Sequence, residues 1–498
     1  MLETLNINLT AILPEILLTA LALCVMALDL IMRRGASRLV LGYLSIIGLL
    51  IILPVSCVSV IDGAFYGGMV KADGFSAYFN AIFIIAAIFT ILISMDYLKR
   101  VNINKGEYYY IVLFATLGMM VMAASNDLVN LYVGLELMAL SFYVLVAIRT
   151  ASSKSVEAAL KYFVLGALSS GVLLYGISFT YGVAGTTNFT EIAFQARRVT
   201  ILDPYLLLAI VFIIVGFSFK IALFPFHLWS PDTYEGAPTP IAALLSVGSK
   251  AAAFAAFMRV FLVALPVYQP HWSRIFWGLS AATMLYGSVV AISQKNIVRM
   301  LAYSSIAHAG IIMIGFLVTS DMGAAGVMYY LLVYAFMNIG AFTVVTLFIR
   351  SSGRGESIRD YRGLAVRHPW LAFVMSIFLV SLAGIPPTGG FTAKFFILSS
   401  AINAQYYWLA VIGVVSTAIS LFFYAKVIFY MYLSEPDALT EGTAGGAAGG
   451  ADRDLPIMSS ATCNIVLVAA AVGTVLLGIY PTPFIDMAIK AVKPFFLT

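Results

Sequence analysis

Four ionisable side chains lie far inside long apolar stretches of the sequence: Glu136, Lys220, Lys250 and Lys394. A carboxyl group and an amino group can each take up and release a proton, and a buried one responds strongly to nearby charges. A charged side chain at the centre of a bilayer costs roughly 2.5–3.5 kcal/mol on insertion scales. Residues with such a cost are usually kept for function, so these four indicate transfer of protons or other cations through a membrane.

Two of the lysines stand beside predicted breaks in their helices. Lys220 precedes Pro225 in GFSFKIALFPFHLW, and Lys394 follows the pair Pro386-Pro387 in LAGIPPTGGFTAKFF. Proline removes a helical hydrogen bond, and the broken helices of transporters expose backbone groups to an internal cavity. Two lysine-flanked breaks in one chain favour an ion path much more strongly than either break alone.

The other two charges are expected near the middle of the bilayer. Glu136 stands about nine residues into its predicted helix, which places it roughly 14 Å deep at 1.5 Å per residue. A carboxylate at that depth needs a cationic partner or stays protonated. Lys250 lies in LLSVGSKAAAFAAF, where small neighbours let other helices or water approach closely. Burial there disfavours the charged amine, so Lys250 is suited to passing a proton on.

Lys161 and Glu157 are four residues apart near the end of a predicted span. They could form a surface ion pair, or Lys161 could link Glu136 to the interior of the cell. Lys426 and Arg259 lie near the ends of their helices, and both are expected to extend their charged groups towards the membrane surface.

His308 lies deep in a span within AYSSIAHAG, close to Ser304 and Ser305. It could be a core histidine whose ring is satisfied by hydrogen bonds. It could equally be a proton relay, because imidazole gains and loses its proton near neutral pH.

Composition requires a membrane around these residues. The chain has 498 residues, of which 62% are hydrophobic and only 10% charged, whereas soluble domains carry about 25% charged residues. The net charge of +5 is spread over short loops, which does not suggest nucleic-acid binding. The cysteines Cys24, Cys57 and Cys463 stand in separate apolar stretches, and no nucleotide-binding motif occurs, so no metal or cofactor site is expected in this chain.

The apolar runs predict an all-α integral membrane protein with about fourteen spanning helices. The predicted spans cover residues 10–32, 39–61, 74–98, 108–125, 127–149, 156–183, 204–226, 239–265, 272–293, 297–319, 323–349, 370–401, 405–433 and 460–482. Most loop Lys and Arg residues fall on one side, which predicts both termini on the outer, periplasmic side of a cell inner membrane.

The order of the helices predicts four regions. Residues 1–107 hold helices 1–3, residues 108–265 a first repeat and residues 266–433 a second, inverted repeat. Residues 434–498 hold a Gly/Ala-rich linker and the last helix. The repeats comprise helices 4–8 and 9–13, and the broken helices 7 and 12 take the fourth place in each. Each repeat crosses the membrane five times. Because five is odd, the second repeat begins on the opposite face of the membrane and is therefore inverted relative to the first.

The motifs DLVNLYVGLELMALSFYVL, GFSFKIALFPFHLWSPDTYEGAPTP, LLSVGSKAAAF and LAGIPPTGGFTAKFF together resemble the antiporter-like subunits of respiratory NADH:quinone oxidoreductase, or complex I. The likeness covers nearly the whole chain. Fourteen spans without a long lateral helix fit the shortest of the three subunit types better than types L and M. The resemblance implies that the family's proton-path glutamate and its three lysines correspond to Glu136, Lys220, Lys250 and Lys394.

The resemblance also implies partners and cofactors. A second antiporter-like subunit, M, and the small subunit K are the expected neighbours. NADH, FMN, iron–sulfur clusters and quinone would be bound by other subunits of the complex, and this chain would move protons. Two alternatives stay open from the residues alone: a subunit of a multi-subunit cation/proton antiporter, and an inert spacer in a membrane arm. The desolvation cost of the buried lysines argues against the spacer.

Overall fold

A computed structural model of the chain describes residues 7–33, 36–61, 63–101, 103–198, 203–349, 355–434 and 460–496. The Gly/Ala-rich linker lies outside the described residues. Within them, thirteen helices are long and apolar enough to cross a membrane. A further crossing is made by two shorter helices, Pro369–Ala383 and Gly389–Asn403, that follow each other across a short break. The expected all-α membrane architecture is confirmed.

The elements, in chain order, are α1 Leu13–Ile31, α2 Leu39–Val58, β1 Ala64–Phe65, β2 Val70–Lys71, α3 Gly74–Arg100, α4 Glu107–Ala124, α5 Leu128–Val146, α6 Ser153–Ala184, α7 Phe189–Ala196, α8 Pro204–Ile221, α9 Trp229–Gly236, α10 Thr239–Leu244, α11 Lys250–Met258, α12 Gln269–Ser293, α13 Ile297–Leu317, α14 Asp321–Phe348, α15 Leu364–Arg367, α16 Pro369–Ala383, α17 Gly389–Asn403, α18 Tyr407–Tyr432, α19 Ala461–Ile479 and α20 Thr482–Val492. The antiparallel hairpin β1–β2 and the short helices α7 and α20 were not predicted. We call the membrane face on which α1 begins the N-terminal face, and the other the opposite face.

The helices that carry the candidate residues begin at side-chain caps. Asp127 accepts hydrogen bonds from the first free backbone N–H groups of α5, at 2.8 and 3.1 Å. Asp203 caps α8 and Asn296 caps α13 in the same way. Such caps satisfy N–H groups that have no partner inside the helix. They fix where each helix starts, and so the depth of Glu136 and Lys220 along it.

Both predicted breaks are present. Between α8 and α9 the chain leaves helical geometry over residues 222–228, with Ala222 in a left-handed conformation at φ +63°. Between α16 and α17, Gly384 adopts φ +84°, a region open to glycine at little cost. The peptide bonds before Pro225 and Pro387 are cis. Each break leaves the last carbonyl groups of a helix inside the protein, where a cation can meet them.

The helix that carries Lys250 has a feature that the sequence did not predict. Residues 239–264 form one continuous crossing, but two of its stretches, Leu245–Ser249 and Arg259–Ala264, are π-helical. Its most apolar window is completely buried inside the protein. Such wide turns are rare and occur often at functional sites. Lys250 follows directly after the first of them.

Burial divides the crossings into a core and a lipid-facing periphery. In the most apolar 18-residue stretch of each crossing, 94% of α13 and 89% of α14 are buried, whereas only 28% of α1 and 33% of α18 are buried. The candidate residues therefore stand on or beside the central helices. The inverted two-fold relation between helices 4–8 and 9–13, and the boundaries of the four regions, stay predictions.

Candidate functional site

Glu136 and Lys220 lie at one end of the site and form no direct ion pair. Glu136 is partly exposed on α5, and its Oε1 has no hydrogen-bond partner among the described residues. Lys220 is 2% exposed in the last turn of α8, and its Nζ also lacks a partner there. The negative end of the α8 dipole favours this cation.

Lys250 reaches across to another helix. It is 2% exposed, and its Nζ donates a hydrogen bond of 2.7 Å to the backbone oxygen of Ser305 on α13. It also bonds to the hydroxyl group of Ser305. The structure thus brings Lys250 against the helix that carries His308, a contact that spans 55 residues of sequence.

His308 is 3% exposed, and both of its ring nitrogens are bonded to tyrosines. Nδ1 lies 2.6 Å from the hydroxyl group of Tyr330, and Nε2 lies 3.1 Å from that of Tyr424. Tyr424 in turn bonds to the hydroxyl group of Ser304. The histidine is therefore satisfied, but every one of these partners can both donate and accept a hydrogen bond. The contacts are compatible with either of the two roles expected for it.

Lys394 uses the carbonyl groups that the second break sets free. Although it belongs to α17, its Nζ donates to the backbone oxygens of Leu382 and Ala383 at the end of α16, at 2.8 and 3.1 Å. The side chain is 4% exposed. Lys220 and Lys394 are therefore both placed at the negative end of a half-helix.

Several buried polar groups near the first break were missed by the sequence analysis. The most notable is His227, which is 1% exposed and has no partner at either ring nitrogen among the described residues. Its presence in the break motif LFPFHLW was the available signal. Two hydroxyl groups nearby in sequence are also without a described partner: Ser218 and Thr233. Buried polar groups without protein partners usually hold ordered water, so this region is suited to hydration.

Lys161 lies in a cluster of ion pairs at the opposite face. It contacts Glu157 at 2.8 Å and Asp232 of α9 at 3.0 Å, and about half of its side chain is exposed. Arg299 of α13 binds Asp232 and Glu235 at 2.8 and 2.6 Å. The surface ion pair is thus the arrangement found, and no contact with Glu136 is present among the described residues.

A second lysine extends the same group of charges. Lys154 contacts Glu235 at 2.9 Å and Glu356 at 3.0 Å. We call the seven residues of this network the α9 charge cluster: Lys154, Glu157, Lys161, Asp232, Glu235, Arg299 and Glu356. It ties the second half of the first broken helix to α6, to α13 and to the segment before α15.

The expectation for Arg259 was wrong. Instead of reaching the membrane surface, its side chain is 1% exposed and pairs with Asp73 at 2.7 Å. Its Nε donates to the backbone oxygen of Ala123 at 2.6 Å, and the rings of Phe75 and Phe495 cover the guanidinium group. The N-terminal end of α3 and Phe495 cover this end of the helix.

Comparison with known proteins identifies the family of the chain. A family model described as NADH:quinone oxidoreductase/Mrp antiporter, transmembrane, matches residues 125–420. The chain belongs to this family of antiporter-like membrane subunits. NADH-quinone oxidoreductase subunit N of Moorella thermoacetica is 43% identical over 98% of this chain and 99% of its own, and that of Trichlorobacter lovleyi is 41% identical over 98% of both. Within the family the chain falls among the subunit N proteins, in agreement with the subunit type expected from its motifs and spans.

Two solved structures show the same fold. A chain of respiratory complex I from Thermus thermophilus with bound aureothin superposes with a TM-score of 0.79 at 28% identity, over 96% of this chain and 99% of that one. A chain of the Mrp complex from Dietzia sp. gives a TM-score of 0.84 at 21% identity, over 99% and 98%. The second likeness concerns the fold alone.

Proposed function

We propose that the line of polar and ionisable groups from Glu136 to Lys394 is the proton path of a membrane-arm subunit of NADH:quinone oxidoreductase. The chain is a proton-translocating subunit of that enzyme class, since its relatives over nearly full length are subunit N proteins. The observation that carries the path is the position of its lysines. All three are at most 4% exposed, and two of them hold polar contacts across helix boundaries.

The proposed mechanism is a charge-coupled relay. Glu136, as an anion, favours the protonated form of Lys220. When a redox event elsewhere in the enzyme weakens this interaction, Lys220 releases its proton towards Lys250 through water near the first break. The proton then passes along Ser305, His308 and the neighbouring tyrosines to Lys394 and leaves on the outer side. Because these groups titrate together, no step belongs to one residue alone.

The same proposal includes the location of the chain, its partner subunits and the cofactors of the enzyme. Both termini are assigned to the periplasmic side of a cell inner membrane, so the N-terminal face is the outer face. The chain lies among other membrane-arm subunits, and subunits M and K are the proposed neighbours. NADH, FMN, iron–sulfur clusters and quinone are assigned to other subunits, which supply the driving reaction.

The test uses three variants in the assembled enzyme: Glu136→Gln, Lys220→Ala and Lys394→Ala. Each is expected to lower the number of protons pumped per electron pair while the complex still assembles. Lys426→Ala is the matched control, because Lys426 lies in a span but borders an apolar groove between α16 and α18. Full pumping with normal electron transfer in all three variants would overturn the relay.

The second candidate function is a subunit of a multi-subunit cation/proton antiporter. The superposition on the Mrp complex favours it as far as the fold is concerned. Purification of the native complex decides between the two, because flavin and iron–sulfur subunits accompany the chain only in an oxidoreductase. Sodium-driven proton exchange by a complex without those subunits would favour the antiporter.

A further inference from the structure

A small polar cavity at the N-terminal face lies apart from the path from Glu136 to Lys394. It is enclosed by α1, the end of α2, the start of α3 and the end of α4, and it leaves ≈ 10 Å³ for the centres of water molecules. That is about the room that one water molecule requires. Its polar lining consists of Glu15, Ser56, Ser59, Asp73, Ser76 and Asn80.

Two oxygen atoms of this lining are buried without a hydrogen-bond partner among the described residues. Asn80 is 3% exposed, and its Oδ1 accepts no hydrogen bond from the described residues. Oε2 of Glu15 is inaccessible to solvent and lacks a partner as well. An uncompensated buried carboxylate oxygen costs several kcal/mol at least, of the order found for buried unpaired charges. A proton on Glu15, or a water molecule between the two side chains, would remove this cost.

The other carboxyl group in the lining, that of Asp73, already has hydrogen-bond partners. Oδ1 of Asp73 accepts hydrogen bonds from the backbone N–H of Ser76 at 2.9 Å and from Nη2 of Arg259 at 2.7 Å. Asp73 is therefore held as the partner of a fixed cation. Glu15 is left as the lining residue whose carboxyl group can change its protonation.

The charges around the cavity argue against a metal ion. Among the described residues, the charged groups that interact with Asp73 here are Arg259 and Lys71. Burial lowers the pKa of Lys71, and the positive charge of Arg259 lowers it further, although Asp73 acts in the opposite direction. A metal ion bound here would be disfavoured in the same way, by burial and by the positive charge of Arg259. Calcium also requires six to eight oxygen ligands, and this cavity offers few that are free.

We propose that Glu15 and the cavity around Asn80 form a proton-holding site at the N-terminal face. The carboxyl group of Glu15 keeps a proton and exchanges it with that face through one enclosed water molecule. Arg259, which lies in the same crossing as Lys250, fixes Asp73 and so shapes the cavity. No hydrogen bond among the described residues joins Glu15 to the path from Glu136 to Lys394. The proposal for Glu15 therefore does not depend on whether the relay operates.

The test is an infrared titration of the purified, assembled enzyme over a range of pH, with wild type compared to Glu15→Gln. We expect one carbonyl band of a protonated carboxylic acid to appear as pH falls and to be lost in Glu15→Gln. Glutamine has the same size and can accept the same hydrogen bonds, so folding should be kept. Glu191→Gln is the matched control, because Glu191 lies at the same face but outside the cavity, and it should retain the band.

Asn80→Leu provides an independent measurement. It should change the pH at which the Glu15 band appears, because it removes the amide that lies beside the carboxyl group. A wild-type spectrum that is unchanged by Glu15→Gln would overturn the proposal. Loss of the band on adding sodium ions at constant pH would also overturn it, because the site would then take a metal ion rather than a proton.

Discussion

Nζ of Lys394 lies 2.8 Å from the backbone oxygen of Leu382, on the other side of a helix break. The break depends on Gly384, whose φ of +84° strains any residue with a side chain. A Cβ atom at this position would also lie 2.9 Å from Cδ of Lys394. The absence of a side chain at Gly384 thus leaves room for the Lys394 side chain. The shape of the break and the position of the lysine charge both depend on this close contact between Gly384 and Lys394.

Gly384→Ala should displace Lys394 from the carbonyl groups of α16. We expect a loss of about 1–2 kcal/mol in stability from the left-handed conformation and the close contact, together with reduced proton pumping. Proton-to-electron ratios and thermal unfolding of the assembled enzyme check both effects. Gly278→Ala is the control, because nothing lies within 4 Å of a Cβ atom there and its φ is ordinary. Equal behaviour of the two variants would contradict the proposed coupling.

Ser305→Ala should weaken the hold on Lys250 without removing it. The hydroxyl group is lost, but the backbone oxygen of Ser305 still accepts from Nζ. A hydrogen bond to a charged group contributes about 1.5–3 kcal/mol, so the pumping rate should fall by roughly tenfold if this bond positions the lysine. The control is Ser293→Ala, whose hydroxyl group is at an exposed helix end. Unchanged pumping in Ser305→Ala would show that the backbone contact suffices.

The α9 charge cluster should act as a unit. Arg299→Gln leaves Asp232 and Glu235 each with one lysine partner, so we expect weaker packing of α9 against α13. Partly exposed pairs contribute about 0–1 kcal/mol each, so the loss of stability should be small and should shrink at high salt.

A double-mutant cycle of Arg299→Gln with Asp232→Asn measures this coupling directly. The combined variant should lose less stability than the sum of the two single variants. Strict additivity would mean that the contact between the two residues contributes nothing.

Arg259 should be required for stability and not for pumping. Removing one partner of a buried ion pair costs about 3–5 kcal/mol, because the other charge is left unpaired. Arg259→Met should therefore reduce the amount of folded subunit, and the double variant with Asp73→Asn should recover part of it. The complexes that do assemble should pump normally. Normal assembly but lost pumping in Arg259→Met would place the arginine in the proton path instead.

The sequence was informative where a feature is local. The apolar runs and the proline-marked breaks follow from neighbouring residues, and both were recognisable before the structure. The depth of Glu136 in the membrane stays a prediction. The partners of the buried charges were not, because the chain separates them widely: Arg259 and Asp73 are 186 residues apart, and His308 and Tyr424 are 116 apart. The π-helical turns beside Lys250 have no composition signature and were missed for that reason.

His308 allows the clearest separation of a structural from a proton-conducting role. Phenylalanine at this position would keep the bulk of the ring but leave the hydroxyl group of Tyr330 without its partner, which costs about 1–3 kcal/mol, whereas Tyr424 would keep its bond to Ser304. His308→Gln can replace both hydrogen bonds but cannot carry a proton as imidazole does. A relay therefore predicts that His308→Gln is stable and pumps poorly. A structural role predicts that His308→Gln pumps normally while His308→Phe is unstable, and thermal unfolding measured beside proton pumping distinguishes the two.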